Sequence, residues 1–307
     1  MQHHTIVMTG ASRGIGNHAA VQMLSQAPDL HLLVTTRGSG EDLVAQLVGD
    51  SGNPHVSWVT CELSSLASIR SAAAEIARRL DAGAVPPLSG FVGNAGVQMT
   101  SANRTTLDGL ESTFAVNVLA NHLFLRLLGD RFVQPARVVI TTSDTHFGDF
   151  RHNMGMVPAP QWRAPRQLAQ SGSTPATDTV TAGRTTYATS KLAVIHLVHE
   201  LSRRLPAGVD IYSWNPGFVP GTGLARDANA VQRFAMKYVM PLMALTPLSV
   251  SAKTAGRHLA HVVLGDRLTD SGAYINLDTP ESSSAESYDL ARERELWQAA
   301  DELCKVA

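Results

Sequence analysis

Hydrophobic and polar positions along the chain follow two alternating rhythms. Short, largely apolar and β-branched runs stand at 5–9, 31–35, 56–60, 90–93, 136–142, 210–214 and 273–277. Runs of this length, apolar at successive residues, predict strands buried on both faces. Between them apolar residues recur at three- and four-residue intervals. Over 66–80, Leu66, Ile69, Ala73, Ile76, Ala77 and Leu80 line one side of a predicted helix. Seven strands alternating with helices predict an α/β fold: a doubly wound, seven-stranded parallel sheet with helices on both faces, built as a single domain over 1–307.

Two stretches interrupt the alternation. Residues 144–186 are rich in Gly, Pro, Ser and Thr, with SGSTPATDT at 171–179, and are too poor in large aliphatics for a domain of their own. They read as an inserted loop. Residues 223–256 have helical spacing broken by Pro241 and Pro247, carry Phe234, Met236, Met240 and Met243, and read as a lid. Residues 285–307 read as a C-terminal helical extension. No fixed-period repeat is present.

Composition narrows the class. A chain that is 44% hydrophobic and 17% charged can bury a large core. With 25 basic and 26 acidic residues, its net charge of −1 offers no bulk attraction to nucleic acid or to an anionic membrane. No apolar run reaches the roughly 18 residues of a membrane span. Cys61 and Cys304 form no disulfide framework, and the 12 histidines show no metal-ligand spacing, so no metal is expected. A reducing cytoplasm is the simplest compartment.

The chemistry begins after the first strand. Gly10, Ser12, Arg13, Gly14, Ile15 and Gly16 belong to a glycine turn that opens a helix, where backbone approaches a pyrophosphate and the helix N-terminus supplies amide donors. At the end of the second strand an acid would accept the ribose hydroxyls of NAD; the sequence has Thr35-Thr36-Arg37 instead. Arg37 and Arg13 suit a 2′-phosphate, which favours NADP(H) over NAD(H). Tyr187 and Lys191 stand four residues apart on one helix face. An ammonium beside a phenol favours phenolate, and such a tyrosine can exchange a proton with an alcohol or carbonyl.

Taken in order, Thr9 to Gly16, Asn94-Ala95-Gly96, Asn117 in VNVLANH, Ser143 after RVVITT, Tyr187-x-x-x-Lys191, and Pro216-Gly217 with Thr222 resemble the short-chain dehydrogenase/reductase family, whose fold is of the Rossmann type. CELSSLASIR at 61–70, TTLDGLESTFAVN at 105–117 and the final helical run with Leu296-Trp297 resemble its branch of retinol dehydrogenases and light-dependent protochlorophyllide reductases. The resemblance implies that Tyr187 is the general acid or base and that Ser143 holds the substrate oxygen. It implies that Lys191 binds the nicotinamide ribose and lowers the tyrosine pKa, and that Asn117 holds a water completing a proton relay. Asn94, Ala95 and Gly96 would line the adenosine ribose. Pro216, Gly217, Val219 and Thr222 would meet the nicotinamide and its phosphate.

Departures from the family pattern are local. Glu62, with Leu63, stands beside the adenine where an aspartate is usual, and Gly93 stands where a second asparagine is frequent. The chain between Ser143 and Tyr187 is much longer than in compact members, and a loop with both ends at the chemistry shapes a substrate pocket. His146, Phe147, Phe218, Met236 and Met240 are the candidate substrate contacts, with Phe150 and Trp162 as further walls. The expected activity is NADP(H)-dependent ketone or aldehyde reduction, or alcohol oxidation, on a bulky hydrophobic small molecule of secondary-metabolite type. Reduction of a C=C bond, non-redox cyclisation and non-catalytic NADP binding stay open. The resemblance also allows a homodimer through the long helices.

Overall fold

The computed structural model describes residues 3–153, 155–173, 179–220 and 249–306. Successive residues of each strand serve opposite faces, which explains the unbroken apolar runs. In β1 (His4–Thr9), Val7 enters one core while Ile6 and Met8 enter the other. The same alternation runs through β2 (Leu30–Thr36), where Leu33 opposes Leu32 and Val34. With β3 (Val56–Thr60), β4 (Leu88–Gly93), β5 (Phe132–Thr141), β6 (Val209–Asn215), β7 (Tyr274–Asn276) and β8 (Thr279–Glu281), they form one sheet in the order β3-β2-β1-β4-β5-β6-β7-β8.

All pairings from β3 to β7 are parallel; β8 pairs antiparallel with β7. Eight strands therefore replace the seven expected. Thr279-Pro280-Glu281 has no apolar run, is fully exposed, and sits at the sheet edge, where a proline is tolerated. A pattern read from buried strands has no access to such an element.

The helices are α1 (Gly14–Gln26), α2 (Glu41–Ser51), α3 (Leu66–Asp81), α4 (Ser112–Phe114), α5 (Ala120–Leu128), α6 (Phe150–Asn153), α7 (Pro165–Leu168), α8 (Thr179–Arg204), α9 (Ala252–Leu264) and α10 (Leu290–Cys304). The core holding Met23 of α1 and Leu259 of α9 lies on one face of the sheet. The core holding Ile69 and Ile76 of α3, Phe124 of α5, Leu197 of α8 and Leu296 of α10 lies on the other. Ile69, Ala73 and Ile76 are buried in α3 as the periodicity requires.

The stretch 144–186 contains helical turns at Asp144–Phe147, α6 and α7, and its final residues are already the start of α8. Gly183 explains why a Thr- and Gly-rich segment is helical there: a Cβ on it would stand 2.2 Å from the Met99 carbonyl oxygen, so α8 packs directly on that loop. Most of the expected lid, with Met236 and Met240, and Thr222 before it, lie outside the described residues. Its last part, from Ala252, is the beginning of α9.

Candidate active site

The carboxyl ends of the parallel strands gather the motifs at the crevice where strand order reverses between β1 and β4. Gly10 leaves β1 with φ +73 and sits so near the loop after β4 that a Cβ would stand 2.9 Å from Ala95 backbone. Gly16 is tighter still, with a Cβ position 2.1 Å from the Gly10 carbonyl oxygen. Asn94 Nδ2 donates to that carbonyl at 3.1 Å, and Ala95 N donates to Thr9 Oγ1 at 3.1 Å. Gly14 is held at φ +58 with open space around its Cβ position.

The N-terminus of α1 is open as well. Arg13 at the N-cap makes no capping bond, and no acid stands in the first turn. Orphan amides, positive helix dipole and a glycine turn fit a pyrophosphate. Ser12 and Arg13 are exposed, Ile15 is half-buried against the core, and Arg37 is exposed just beyond β2. Leu63 packs on the core. The Glu62 carboxylate is otherwise engaged: Oε1 accepts from Ser64 N at 3.1 Å and Ser64 Oγ at 2.9 Å. Through that oxygen it holds the turn that leads into α3.

Asn117 lies in a π-helical turn, Ala115–Leu119, between α4 and α5. Its Oδ1 accepts from Val97 N at 2.9 Å, and its Nδ2 donates to Val97 O at 3.0 Å and Ser190 Oγ at 2.9 Å. The amide thus clamps the loop after β4 onto α8; the water-holding role expected for this residue finds its side-chain donors already used. Asn121 accounts for Gly93, because its Oδ1 stands 2.2 Å from the place a Gly93 Cβ would take. Gly96 faces both partners: its Cβ position is 3.4 Å from Asn117 Oδ1 and 3.4 Å from Lys191 Nζ.

Tyr187 and Lys191 are buried on α8, one turn apart. Ser190 Oγ donates to Tyr187 O at 2.7 Å, and Thr142 Oγ1 donates to Lys191 O at 2.9 Å, which fastens the helix to the end of β5. Lys191 Nζ lies 5.5 Å from the Tyr187 ring centroid and donates to Thr141 O at 2.9 Å. Burial pulls the lysine down to about 8. Burial also pushes the Tyr187 phenol up to about 12, with the Ser143 hydroxyl bonded to it acting in the opposite sense and Asp144 adding to the rise. A lysine-lowered phenol was expected; burial instead dominates the Tyr187 shift, and the lysine ammonium donates to the Thr141 carbonyl.

Ser143 caps the turn Asp144–Phe147 at the carboxyl end of β5. His146 corrects an expectation. Its Nδ1 bonds the Ser143 carbonyl at 2.7 Å and its Nε2 accepts from Ser284 N at 3.1 Å, which requires the neutral Nδ1–H tautomer. With both nitrogens committed to backbone and burial pulling it down to about 4, it tethers the serine turn to the C-terminal segment and has no nitrogen left for a substrate. Phe147 stacks on His152 at 3.7 Å, while Phe150 is 77% exposed. Trp162 packs edge-on against His196 at 4.7 Å, with Arg292 over its ring, which assigns it to α8 and α10 packing.

After β6, Gly217 has φ +70, with its Cβ position 3.2 Å from Leu277 and Val250 side chains. Pro216, Phe218 and Val219 are half-buried beside it. Asp144, next to Ser143, and Asn215 and Tyr274, which bond the Asp144 carboxylate, were not singled out by the sequence. Tyr274 donates its hydroxyl to Asp144 at 2.8 Å. Only Asp144's adjacency to the serine marks it in the sequence.

A family model described as short chain dehydrogenase matches residues 4–154. A second, the AcuH dehydrogenase domain, matches residues 222–306. Human retinol dehydrogenase 13 is 27% identical over 95% of this chain and 82% of its own length. Protochlorophyllide reductase A of Arabidopsis thaliana is 28% identical over 98% of this chain and 77% of its own. The chain belongs to the short-chain dehydrogenase/reductase family. Within that family of oxidoreductases it sides with the branch of retinol dehydrogenases and protochlorophyllide reductases. Two solved structures share its fold. A short chain dehydrogenase of Burkholderia cenocepacia in complex with NADP has TM-score 0.62 at 21% identity, covering 90% of this chain and 97% of that one. A 3-oxoacyl-[acyl-carrier protein] reductase of Brucella melitensis in complex with NAD has TM-score 0.60 at 20% identity, covering 91% and 96%. No helix among the described residues is long and apolar enough to cross a membrane.

Proposed function

We propose that this short-chain dehydrogenase/reductase is an NADP(H)-dependent carbonyl reductase or alcohol dehydrogenase in which Tyr187 transfers the proton. The observation that carries the reading is a convergence. Gly96, Asn117 and Lys191 meet within a few ångströms, and the Ser143 side chain faces the Tyr187 phenol.

The nicotinamide, when bound, supplies the hydride for the carbonyl carbon. Tyr187 gives its phenolic proton to the carbonyl oxygen, and the Ser143 hydroxyl hydrogen-bonds that oxygen as charge develops on it. Burial keeps Tyr187 in the protonated form that reduction needs. Lys191, pulled down to about 8 by burial, is the group we assign to restoring the phenol. Asn117 holds Val97 and Ser190 and so fixes Gly96 opposite the lysine. Arg13 and Arg37, exposed at the ends of the glycine turn and β2, supply the charge that favours a 2′-phosphate.

The substrate class, a bulky apolar carbonyl or alcohol, rests on the sequence of 223–256, with Phe234, Met236, Met240 and Met243, and on Phe218 after β6. The test is NADPH consumption across a panel of apolar ketones and aldehydes, with product masses. A mass gain of two hydrogens per NADPH is expected. Tight NADPH binding without consumption across the panel contradicts the reading.

A further inference from the structure

Asp144 follows Ser143 directly and takes no part in the proton transfer proposed above. Its Oδ1 is a junction between strand ends. Tyr274 of β7 donates its hydroxyl there at 2.8 Å, and Asn215, the last residue of β6, donates through Nδ2. Asn215 Nδ2 also donates to Asn276 Oδ1 at 2.9 Å, and Asn276 Nδ2 to Glu281 Oε1 at 3.1 Å. Pro216 and Gly217 come next after Asn215, so a single carboxylate joins the turn presenting Ser143 to the loop assigned to the nicotinamide.

Burial pushes the Asp144 carboxyl up from the ordinary carboxylate range, while the bonds from Tyr274 and Asn215 pull it down; both donors are neutral, so the charge the carboxylate carries is felt by its surroundings. Among the described residues, the ionisable groups facing it are Tyr187 on α8, Tyr274 on β7, Glu281 on β8 and His152 on α6. Of these, only His152 can carry positive charge, and it is bonded to Asp149 at 2.8 Å. The geometry points to Asp144 as a positioning residue: it fixes the Ser143 turn against Asn215-Pro216-Gly217 and sets one negative charge behind the Ser143–Tyr187 pair. That charge favours phenol, the form that donates in carbonyl reduction, over phenolate, the form alcohol oxidation requires. The inference rests on Tyr187 as proton donor and extends that reading to direction: the site is poised for reduction.

The test uses the full chain saturated with NADP⁺ and labelled at tyrosine Cζ with carbon-13. Among its five tyrosines, the Tyr187 resonance is the one missing from Tyr187→Phe. Asp144→Asn keeps an oxygen able to accept both bonds and removes the charge. Near pH ~10.5 the ionised fraction of Tyr187 in Asp144→Asn is expected to rise about tenfold over wild type, the effect of a shift of about one pH unit. Asp144→Ala is expected to show the same rise, together with faster hydrogen exchange in 143–147 and 216–220. A Tyr187 titration in Asp144→Asn that superimposes on wild type overturns the inference, as does unchanged exchange in Asp144→Ala. Tyr187→Phe turnover separates the two layers: an inactive variant with a superimposable titration removes the role of Asp144 alone, whereas an active one removes the proton-donor reading itself.

Discussion

At Gly16 one methyl group is enough to spoil the cofactor turn. The added carbon would lie 2.1 Å from a backbone oxygen that cannot swing away, so Gly16→Ala forces the turn apart. We expect a loss of NADPH affinity of at least about tenfold and a stability cost of roughly 1–3 kcal/mol, read by fluorescence titration and urea unfolding. Arg37 works by charge. Arg37→Ala is expected to weaken NADPH about tenfold or more and leave NADH nearly unchanged, since a charge-assisted bond to phosphate is worth roughly 1.5–3 kcal/mol. Equal weakening of both cofactors would remove the 2′-phosphate assignment. Individual residues were legible where their chemistry is local: glycines, a phenol and an ammonium announce themselves by spacing. Asp144 and His146 were not, because what they do depends on Tyr274, Asn215 and Ser284, which only the folded chain brings to them.

Elements were legible to the extent that burial patterned them. The strands that carry continuous apolar runs end within a few residues of their predicted limits, and α3 buries the predicted face. The edge strand β8 and the first turns of α8 escaped, the one exposed and the other packed through Gly183 and small polar residues. The turn Asp144–Phe147 shows how an element acquires a pH dependence. His146, pulled from 6.5 to about 4 by burial, binds fewer protons folded than unfolded between those values. Its contribution is therefore complete above pH ~6.5 and is lost as pH falls toward about 4, by about 3 kcal/mol at most. Glu111, pushed up to about 7 by burial, acts in the opposite sense, losing stability as pH rises from 4.5 toward that value. Comparison with a variant isolates the histidine. His146→Gln is expected to flatten the loss of urea stability between pH ~7 and ~4.5 relative to wild type; parallel curves would mean that the tether does not titrate with folding.

On the scale of the whole molecule, the sheet brings together groups that the sequence keeps far apart. Loops after β1, β4 and β5, a π-helical turn and a long helix deliver their residues to one end of the strands. On the opposite side of the sheet from α1, α10 closes the face of α5 and α8: Trp297 lies between Arg126 and Arg204, and Asp301 bonds both His122 and Arg126 at 2.8 Å. Pairing through that face, as the family resemblance allowed, has to be made over α10. The sequence order of the motifs made the sheet and its active end legible, whereas the helix-covered face depends on long-range packing that no motif encodes. On the proposed function, this arrangement moves a proton through Tyr187. Steady-state turnover of Tyr187→Phe with NADPH and the best carbonyl of the panel tests it most directly. A fall in kcat of about 10²–10⁴-fold is predicted, with NADPH affinity held within about threefold, because only the proton donor has been removed. Turnover within about threefold of wild type would contradict it.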